Sequence, residues 1–429
     1  MRPLLIYFSG VAIVAIAAGV AAADPAPLRL SRQQAIDEAL ARNPGLLASK
    51  AQVEQARAQV TIAAALPEPT LAADVAGQSK ALNPTSGNAS DVGVGVTFPF
   101  FGKIRLRSEV AKTALQAAEF TLTQLRQQVA SQAAQAYDAV LVALRHDDDL
   151  KEGKTLALDF LAKTKARFLA GTVAKVDVIK AQVDVSQAEN DLIANDRTLI
   201  TARASLNRLL GRVGGAPIET TDSLEVPATI AELEGLEKLA MSSRPELQSL
   251  EIQRQGARTA TRLAKEYWLP DINVTLTRNA VDGSSTTWTT GVGFGFPLFP
   301  RQHRQGEVAA ALHREEELAA DASDTSVQVS LDVRTAFASA STALRQAVFL
   351  RDELLPEARE VYRVAAVSYE LGGSSALELL DAKRTLLDAE KQYVDALGAA
   401  NDAQAALELA VGAPLPPAPQ TPVTSGAKP

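Results

Sequence analysis

The feature that most constrains the fold is a short alternating segment that occurs twice in the chain. Residues 92–98 read VGVGVTF, and residues 292–296 read VGFGF. Apolar side chains alternate there with glycine or threonine, which is typical of a barrel strand with one lipid-facing side. Each segment leads through an aromatic and proline-containing motif into a helical pattern too long for a compact domain. This order predicts membrane β-structure joined to long α-helices.

The chain is also a tandem duplication. Gly171 recurs 201 residues later as Gly372, and other landmarks recur within a few residues of the same spacing. We therefore predict two structural repeats, over residues 24–215 and 216–412. Each repeat reads helix, strand, strand, very long helix, turn and helix.

The two ends of the chain predict segments outside these repeats. Arg2 precedes an apolar run over residues 4–20 and three alanines, so residues 1–23 predict a cleavable secretory signal peptide. An uncleaved anchor helix is the alternative, although the run is short for a membrane span. Residues 413–429 are rich in proline, alanine and threonine, and we expect this tail to be disordered.

Composition argues against several classes of function. The net charge is −7, with 43 basic and 50 acidic residues mixed along the chain, so a nucleic-acid partner is not expected. The absence of cysteine excludes disulfides, thiolate metal sites and a cysteine-linked lipid. His303 and His313 do not share a helix face, so we expect no metal site. Without a catalytic triad or phosphate-binding loop, we predict neither an enzyme nor a cofactor.

The returning helices carry a seven-residue apolar repeat. The rows are Val178, Val185, Leu192, Leu199 and Leu206 in the first repeat, and Leu379, Leu386, Tyr393, Ala400 and Leu407 in the second. Such a pattern predicts antiparallel helix packing of the coiled-coil type. A soluble four-helix bundle is the alternative, but it does not account for the four predicted strands. The predicted fold class is therefore mainly α with a small β part.

The strand count predicts an oligomer. Four strands cannot close a barrel, and an open sheet edge is not tolerated in lipid. The smallest transmembrane barrels have about eight strands, so several chains must contribute strands to one barrel. Three chains would give a barrel of twelve.

These features together resemble the TolC-like outer-membrane efflux family. The motifs that carry the resemblance are FPFFGK at residues 98–103, FPLFPR at 296–301, and the turns at 167–171 and 368–372. The first two motifs are most similar to the heavy-metal branch, the outer-membrane components of cobalt–zinc–cadmium or copper–silver efflux systems. The resemblance extends over nearly the whole mature chain.

The resemblance implies an architecture and a set of partners. In this family a homotrimer forms a 12-stranded transmembrane β-barrel in the outer membrane of a Gram-negative bacterium, above a long periplasmic α-helical barrel. It implies contact with outer-membrane lipid. It also implies a periplasmic membrane-fusion adaptor and an inner-membrane pump of the resistance-nodulation-division class as partners.

The resemblance also places a periplasmic aperture. Glu378 and Asp381 match the constricting carboxylates of the family, and at a spacing of three they share one helix face. Three chains would then project six carboxylates into a narrow entrance and select against anions. An ordinary solvated helix face is the alternative for this pair.

Latch and docking residues follow from the same resemblance. Asp177 and Tyr369 match residues that cross-link neighbouring helices, whereas Ser374 stands where the best-known members have arginine. The charged part of the family latch is therefore missing. The turns that meet the adaptor in the family contain Gly171, Thr172, Gly372 and Gly373.

Aromatic residues near the two strand-to-helix motifs predict a membrane girdle. They are Phe98, Phe100, Phe101, Phe296 and Phe299. Basic residues that follow them, such as Lys103, are expected to face lipid phosphates. Packing in a protein core is the alternative for the rings.

The predicted function is a passive outer-membrane exit duct for a proton-driven pump, exporting divalent metal cations. One alternative is a channel of the same fold that exports drugs or a secreted polypeptide. A second is a non-conducting periplasmic coiled-coil scaffold.

Overall fold

The computed structural model describes residues 28–76, 89–100, 102–227, 230–266, 269–281, 286–295 and 300–416. The predicted signal peptide lies outside these residues, as does the predicted disordered tail beyond residue 416. Helices dominate the described chain, and the β part is small.

Both halves of the chain contain a three-residue strand, two shorter helices, two longer strands and a long helical hairpin. The elements of the first half are β1 (Leu28–Leu30), α1 (Arg32–Arg42), α2 (Pro44–Ala64), β2 (Thr70–Ala76), β3 (Ala89–Phe98), α3 (Lys103–Leu169) and α4 (Lys175–Leu209). Those of the second half are β4 (Ile218–Thr220), α5 (Leu233–Ser243), α6 (Pro245–Lys265), β5 (Asp271–Val281), β6 (Thr287–Gly295), α7 (Pro300–Phe349), a π-helical turn (Leu350–Leu354), α8 (Leu355–Leu371) and α9 (Ala376–Val411).

Local sequence explains where the helices begin. At the start of α1, the Ser31 hydroxyl accepts a bond from the Gln34 N–H at 3.3 Å, and the Gln34 side chain accepts one from the Ser31 N–H at 2.9 Å. Asn43 caps α2, with Pro44 in the first helical position. Helix α3 has 67 residues, which gives a rod of about 100 Å.

The π-helical turn absorbs a difference in length between the two halves. The spacing between equivalent residues is 200 at Leu144 and Leu344 but 201 at the hairpin glycines. One extra residue therefore lies between these points in the second half. The Leu355 N–H bonds to the Leu350 carbonyl five residues back, as a π-helical turn requires. Pro356, which has no N–H to donate, follows directly.

The main sheet is antiparallel, with strand order β2-β3-β5-β6. Strands β1 and β4 form a separate parallel pair. Within the described residues, β2 and β6 each have one neighbour, so the main sheet has two unpaired edges.

The two faces of this sheet differ in chemistry. One face is apolar and exposed, and its residues are Leu71, Val92, Val94, Leu276, Trp288, Val292 and Phe294. The other carries glycines opposite threonines. A Cβ atom at Gly93 would lie 2.9 Å from the Thr277 hydroxyl, and one at Gly291 would lie 2.6 Å from the Thr275 hydroxyl. The threonines of β5 thus occupy the space that side chains on β3 and β6 would need.

Small residues bring the two halves together along α3 and α9. A Cβ atom at Gly398 would lie 2.7 Å from Val142 Cγ2, and one at Gly153 would lie 3.1 Å from Leu387 Cδ2. Each glycine accepts a branched side chain of the opposite helix, so these helices approach closely. Among the helices described, none is both long and apolar enough to span a membrane.

We expect Gly398→Ala to lower the free energy of unfolding by about 1–2 kcal/mol, because the added methyl group overlaps Val142. Gly306→Ala in α7 is the matched control, since a Cβ atom there meets nothing within 4 Å. This control should raise the free energy of unfolding by about 0.5–1 kcal/mol, through helix propensity alone. Denaturation in detergent followed by circular dichroism measures both. Equal effects of the two substitutions would contradict the close approach of α3 and α9.

Candidate aperture at the hairpin tips

Two helical hairpins end in equivalent turns. The first hairpin joins α3 to α4 at Gly171, and the second joins α8 to α9 at Gly372, with φ of +75° and +83°. In each, the residue after the glycine donates its N–H to a carbonyl five residues back, at 3.0 Å in the first turn and 2.8 Å in the second. This is the Schellman termination, which favours glycine. The predicted adaptor-contacting residues Gly171, Thr172, Gly372 and Gly373 are all exposed at these tips.

The predicted aperture carboxylates lie on the first turns of α9, and both are exposed. Ser375 N–H donates to Glu378 Oε2 at 3.0 Å, and the Ser375 hydroxyl accepts from the Glu378 N–H at 3.2 Å. Glu378 therefore also caps its own helix. Asp381 makes no ion pair within the described part of the chain. Together they line one open groove between α8 and α9.

An acidic row that sequence reasoning missed extends from this pair along α9. Asp381, Asp388, Asp395 and Asp402 are seven residues apart, and all four are exposed. Seven residues make two turns, so these carboxylates lie on one face over about 30 Å. The regular spacing was present in the sequence and could have revealed the row.

Two members of the row have neighbours on other helices. Asp395 accepts a hydrogen bond from His146 of α3, with 2.8 Å between Nε2 and Oδ1. The Asp402 residue is exposed, but neighbouring atoms partly desolvate its carboxyl group. This desolvation, followed by the like charge of Asp138, raises the pKa of Asp402 to about 6.

The predicted latch residues have separate positions. Asp177 lies at the start of α4, where its Oδ2 atom accepts a bond from the Ala174 N–H at 3.4 Å. Ser374 donates to the Ala365 carbonyl at 3.2 Å within the second hairpin. Tyr369 is 1% exposed, and its hydroxyl lies 3.1 Å from the hydroxyl of Thr164 on α3. Of the three, only Tyr369 is shown in contact with the other hairpin of the same chain.

Arg167 of the first hairpin contacts Tyr369 of the second, and the sequence did not predict this contact. The Arg167 guanidinium lies 4.6 Å from the centroid of the Tyr369 ring and donates to the Tyr369 carbonyl at 2.7 Å. Nearby, Lys163 bonds to Glu370 at 2.5 Å and to Asp159 at 2.8 Å. The hydrogen bonds that the Lys163 ammonium group donates to Asp159, and then to Glu370, raise the pKa of Lys163. Nothing in the sequence indicated which residues, 200 positions apart, would meet.

The described girdle residues lie at the helix-proximal end of the sheet. Phe98 is partly exposed at the end of β3, and the Phe100 N–H donates to Asp271 at 3.1 Å. The other three, Phe101, Phe296 and Phe299, lie outside the described residues. The expectation for Lys103 was wrong, because its ammonium group is largely buried and bonds to Asp271 at 2.8 Å. Lys103 thus fastens α3 to the first residue of β5.

Long helical hairpins, joined to an amphipathic sheet whose two edges are unpaired in the described part of the chain, define one subunit of a membrane channel. No group of three or more potential ligands in the described chain could hold a metal ion. The family model described as "Outer membrane efflux protein" matches residues 35–212 and 236–413. The chain belongs to this family and is an outer-membrane efflux channel with a large periplasmic helical part.

Named relatives come from different efflux systems. The cobalt-zinc-cadmium resistance protein CzcC of Cupriavidus metallidurans is 24% identical over 385 residues, which cover 89% of this chain and 90% of CzcC. The solvent efflux pump outer membrane protein SrpC of Pseudomonas putida is 25% identical over 398 residues, covering 87% and 82%. A crystal structure of CusC superposes with a TM-score of 0.75 at 21% identity, covering 89% of this chain and 92% of CusC. The predicted family and fold class are confirmed. Channels of this family form trimers that work with adaptors and inner-membrane pumps.

The raised pKa of Asp402 predicts a pH-dependent stability. The folded protein binds this proton more tightly than the unfolded chain does, so stability falls as pH rises from about 4 through 6. Asp402→Asn should therefore raise the midpoint of thermal unfolding at pH 7.5 and leave it unchanged near pH 4. Asp388→Asn, one heptad nearer the tip, is the control and should show no such difference. The same shift at both pH values would show that the ionised form of Asp402 is not the cause.

Proposed function

We propose that this channel is the exit duct of a tripartite system that exports divalent metal cations. The observation that carries the proposal is the exposed row of carboxylates along α9, which begins at Glu378 and Asp381 in the aperture. Negative charge along a narrow path raises the local concentration of cations and excludes anions. The similarity to CzcC, whose name refers to cobalt, zinc and cadmium resistance, supports the same class of cargo.

Three copies are proposed to complete the channel. The duplication indicates how they meet, because Phe160 on α3 and Leu380 on α9 are buried together inside the chain. Their counterparts 201 residues away are Val361 on α8 and Ile179 on α4, which are 52% and 53% exposed. Since the repeats share one fold, Val361 of one copy is placed to cover Ile179 of the next.

The free sheet edges support the same ring. Strand β6 of one copy can pair with β2 of the next, so that three copies pool twelve strands and leave no edge in lipid. The exposed apolar face of the sheet then contacts outer-membrane lipid, with Phe98 at the girdle.

The hairpin tips are the proposed docking site for a periplasmic adaptor. Leu169 and Leu371 are 86% and 84% exposed beside the turn glycines, so each tip presents an apolar side chain to solvent. The adaptor would connect these tips to an inner-membrane pump of the resistance-nodulation-division class. That pump supplies the energy, and the channel conducts passively.

Export of solvents or drugs is the second candidate, favoured by the similarity to SrpC. Deleting the gene and scoring growth on zinc, cobalt or cadmium, and separately on toluene, distinguishes the two. Sensitivity to the metals alone supports the proposal, and sensitivity to toluene alone overturns it.

Neutralising the aperture tests the proposed selectivity. The double variant Glu378→Gln, Asp381→Asn keeps side-chain size and the helix cap but removes two charges per chain. We expect it to reduce the preference for cations over anions at least about twofold, because fewer fixed charges face the entrance. Reversal potentials in a salt gradient across a planar bilayer measure this preference.

Asp196→Asn provides the control for this variant, since Asp196 is an exposed carboxylate on α4 away from the row. Its reversal potential should match that of the wild-type channel. An unchanged reversal potential in the double variant would reject the assignment of Glu378 and Asp381 to the aperture. A complete lack of conductance by the wild-type protein would instead favour the non-conducting scaffold.

A further inference from the structure

Basic side chains gather where the long helices meet the main sheet. Helix α3 has Arg105 and Arg107 close to its start, and no acidic residue lies in its first turn. Helix α6 has Arg262 and Lys265 in its last turn, shortly before β5 begins. We call these four residues the basic patch.

Two close approaches place the members of the basic patch side by side. A Cβ atom at Gly256 of α6 would lie 2.5 Å from the Thr113 hydroxyl of α3. One at Gly102, just before α3, would lie 3.4 Å from Glu266 Oε2, just after α6. The two helices are therefore antiparallel, and the start of α3 lies beside the end of α6.

The basic patch lies directly below the apolar face of the sheet. Lys103 Nζ bonds to Asp271 Oδ1 at 2.8 Å, so the first residue of α3 contacts the first residue of β5. Arg105 and Arg107 follow about 3 and 6 Å further along the helix axis. Phe98 marks the same end of the apolar face. Since the headgroup layer on each side of a bilayer is about 5–8 Å thick, the patch falls within it.

The chain itself leaves the basic patch largely unneutralised. Within the described residues, Arg107, Arg262 and Lys265 form no ion pair. The Arg105 Nε atom lies 3.7 Å from Glu109 Oε1, too far for a hydrogen bond, and the Arg105 side chain is 78% exposed. Arg262 and Lys265 are exposed as well. The patch thus presents positive charge that an external anion can neutralise.

The fold does not require basic residues at these positions. The counterparts of Arg262 and Lys265 at the 201-residue spacing are Thr61 and Ala64, so the first repeat builds the same helix end without them. The helix dipole favours cations at the end of α6 but opposes them at the start of α3. It therefore does not account for Arg105 and Arg107.

We propose that the basic patch binds the phosphate of an anionic phospholipid in the periplasm-facing leaflet of the outer membrane. Guanidinium groups bind phosphate oxygens through paired hydrogen bonds, and Lys265 adds an ammonium group. A lipid that carries a net negative charge is favoured over a zwitterionic one, because its phosphate has no cation of its own. The bound headgroup fixes the depth at which the helices leave the bilayer. This inference rests on the proposed function, since it takes the sheet to be part of a barrel in the outer membrane.

Spin-labelled lipids test the proposal with the full chain reconstituted in phosphatidylcholine vesicles. The probe is spin-labelled phosphatidylglycerol or, separately, spin-labelled phosphatidylcholine. The motionally restricted fraction of each label in the electron paramagnetic resonance spectrum gives their relative affinity. We expect the wild-type protein to prefer phosphatidylglycerol at least about threefold. The double variant Arg262→Gln, Lys265→Gln should lose this preference.

Two controls separate charge in the patch from charge elsewhere. Lys165→Gln with Lys391→Gln removes two exposed charges on α3 and α9, remote from the sheet, and should keep the preference. Arg262→Lys with Lys265→Arg retains the charge of the patch and should also keep it. If the double glutamine variant does not assemble, Arg105→Gln is measured in its place and should lower the preference.

Three outcomes overturn the inference. They are a wild-type protein without the preference, a double glutamine variant that retains it, and a preference that inorganic phosphate abolishes while chloride of equal ionic strength does not. The last would identify a site for a free anion. Absence of restricted lipid of either kind would overturn the proposed barrel as well. Failure of the proposed cation selectivity is seen separately, in the reversal potentials of the wild-type channel.

Discussion

The constraint on which the structure depends is the need to satisfy backbone hydrogen bonds inside lipid. Within the described residues, the main sheet has four strands, and β2 and β6 are each paired on one side only. In a bilayer each unpaired N–H or carbonyl costs several kcal/mol, so a single chain cannot insert. The apolar outer face and the glycine–threonine inner face are useful only when copies close a ring. The ring then determines where the long helices begin, because Lys103 at the start of α3 forms an ion pair with Asp271 of β5.

Below the membrane, close helix packing replaces backbone pairing as the organising interaction. Gly153 and Gly398 let α3 and α9 approach, and alanines fill much of the remaining core. A narrow separation leaves little room for side chains between helices and directs longer polar groups to the exposed faces. The acidic row of α9 lies on such a face. Packing and electrostatics therefore occupy different sides of the same helix.

Much of this architecture could be predicted from the sequence because it depends on periodicity. The period-two segment at residues 92–98 lies in β3, residues 292–295 of the second segment lie in β6, and the long helical pattern predicted after the first segment is α3. The pairing of β1 with β4 was missed, since three-residue strands carry no pattern. Side-chain partners such as Arg167 and Tyr369 were missed for a different reason. Their meeting depends on the axial register between helices some 200 residues apart, which no local pattern specifies.

The duplication explains why the two hairpins differ in side chains while they share a backbone. Buried Leu380 of α9 corresponds to exposed Ile179 of α4, because α9 lies between two helices of its own chain and α4 lies at an edge. The acidic row shows the same divergence, since Asp381 and Asp388 correspond to Lys180 and Gln187. A helix covered by its own chain can present charge on its remaining face, whereas an edge helix must keep an apolar face for a partner. The exposed acidic row and the exposed apolar face thus lie in different repeats of the duplicated unit.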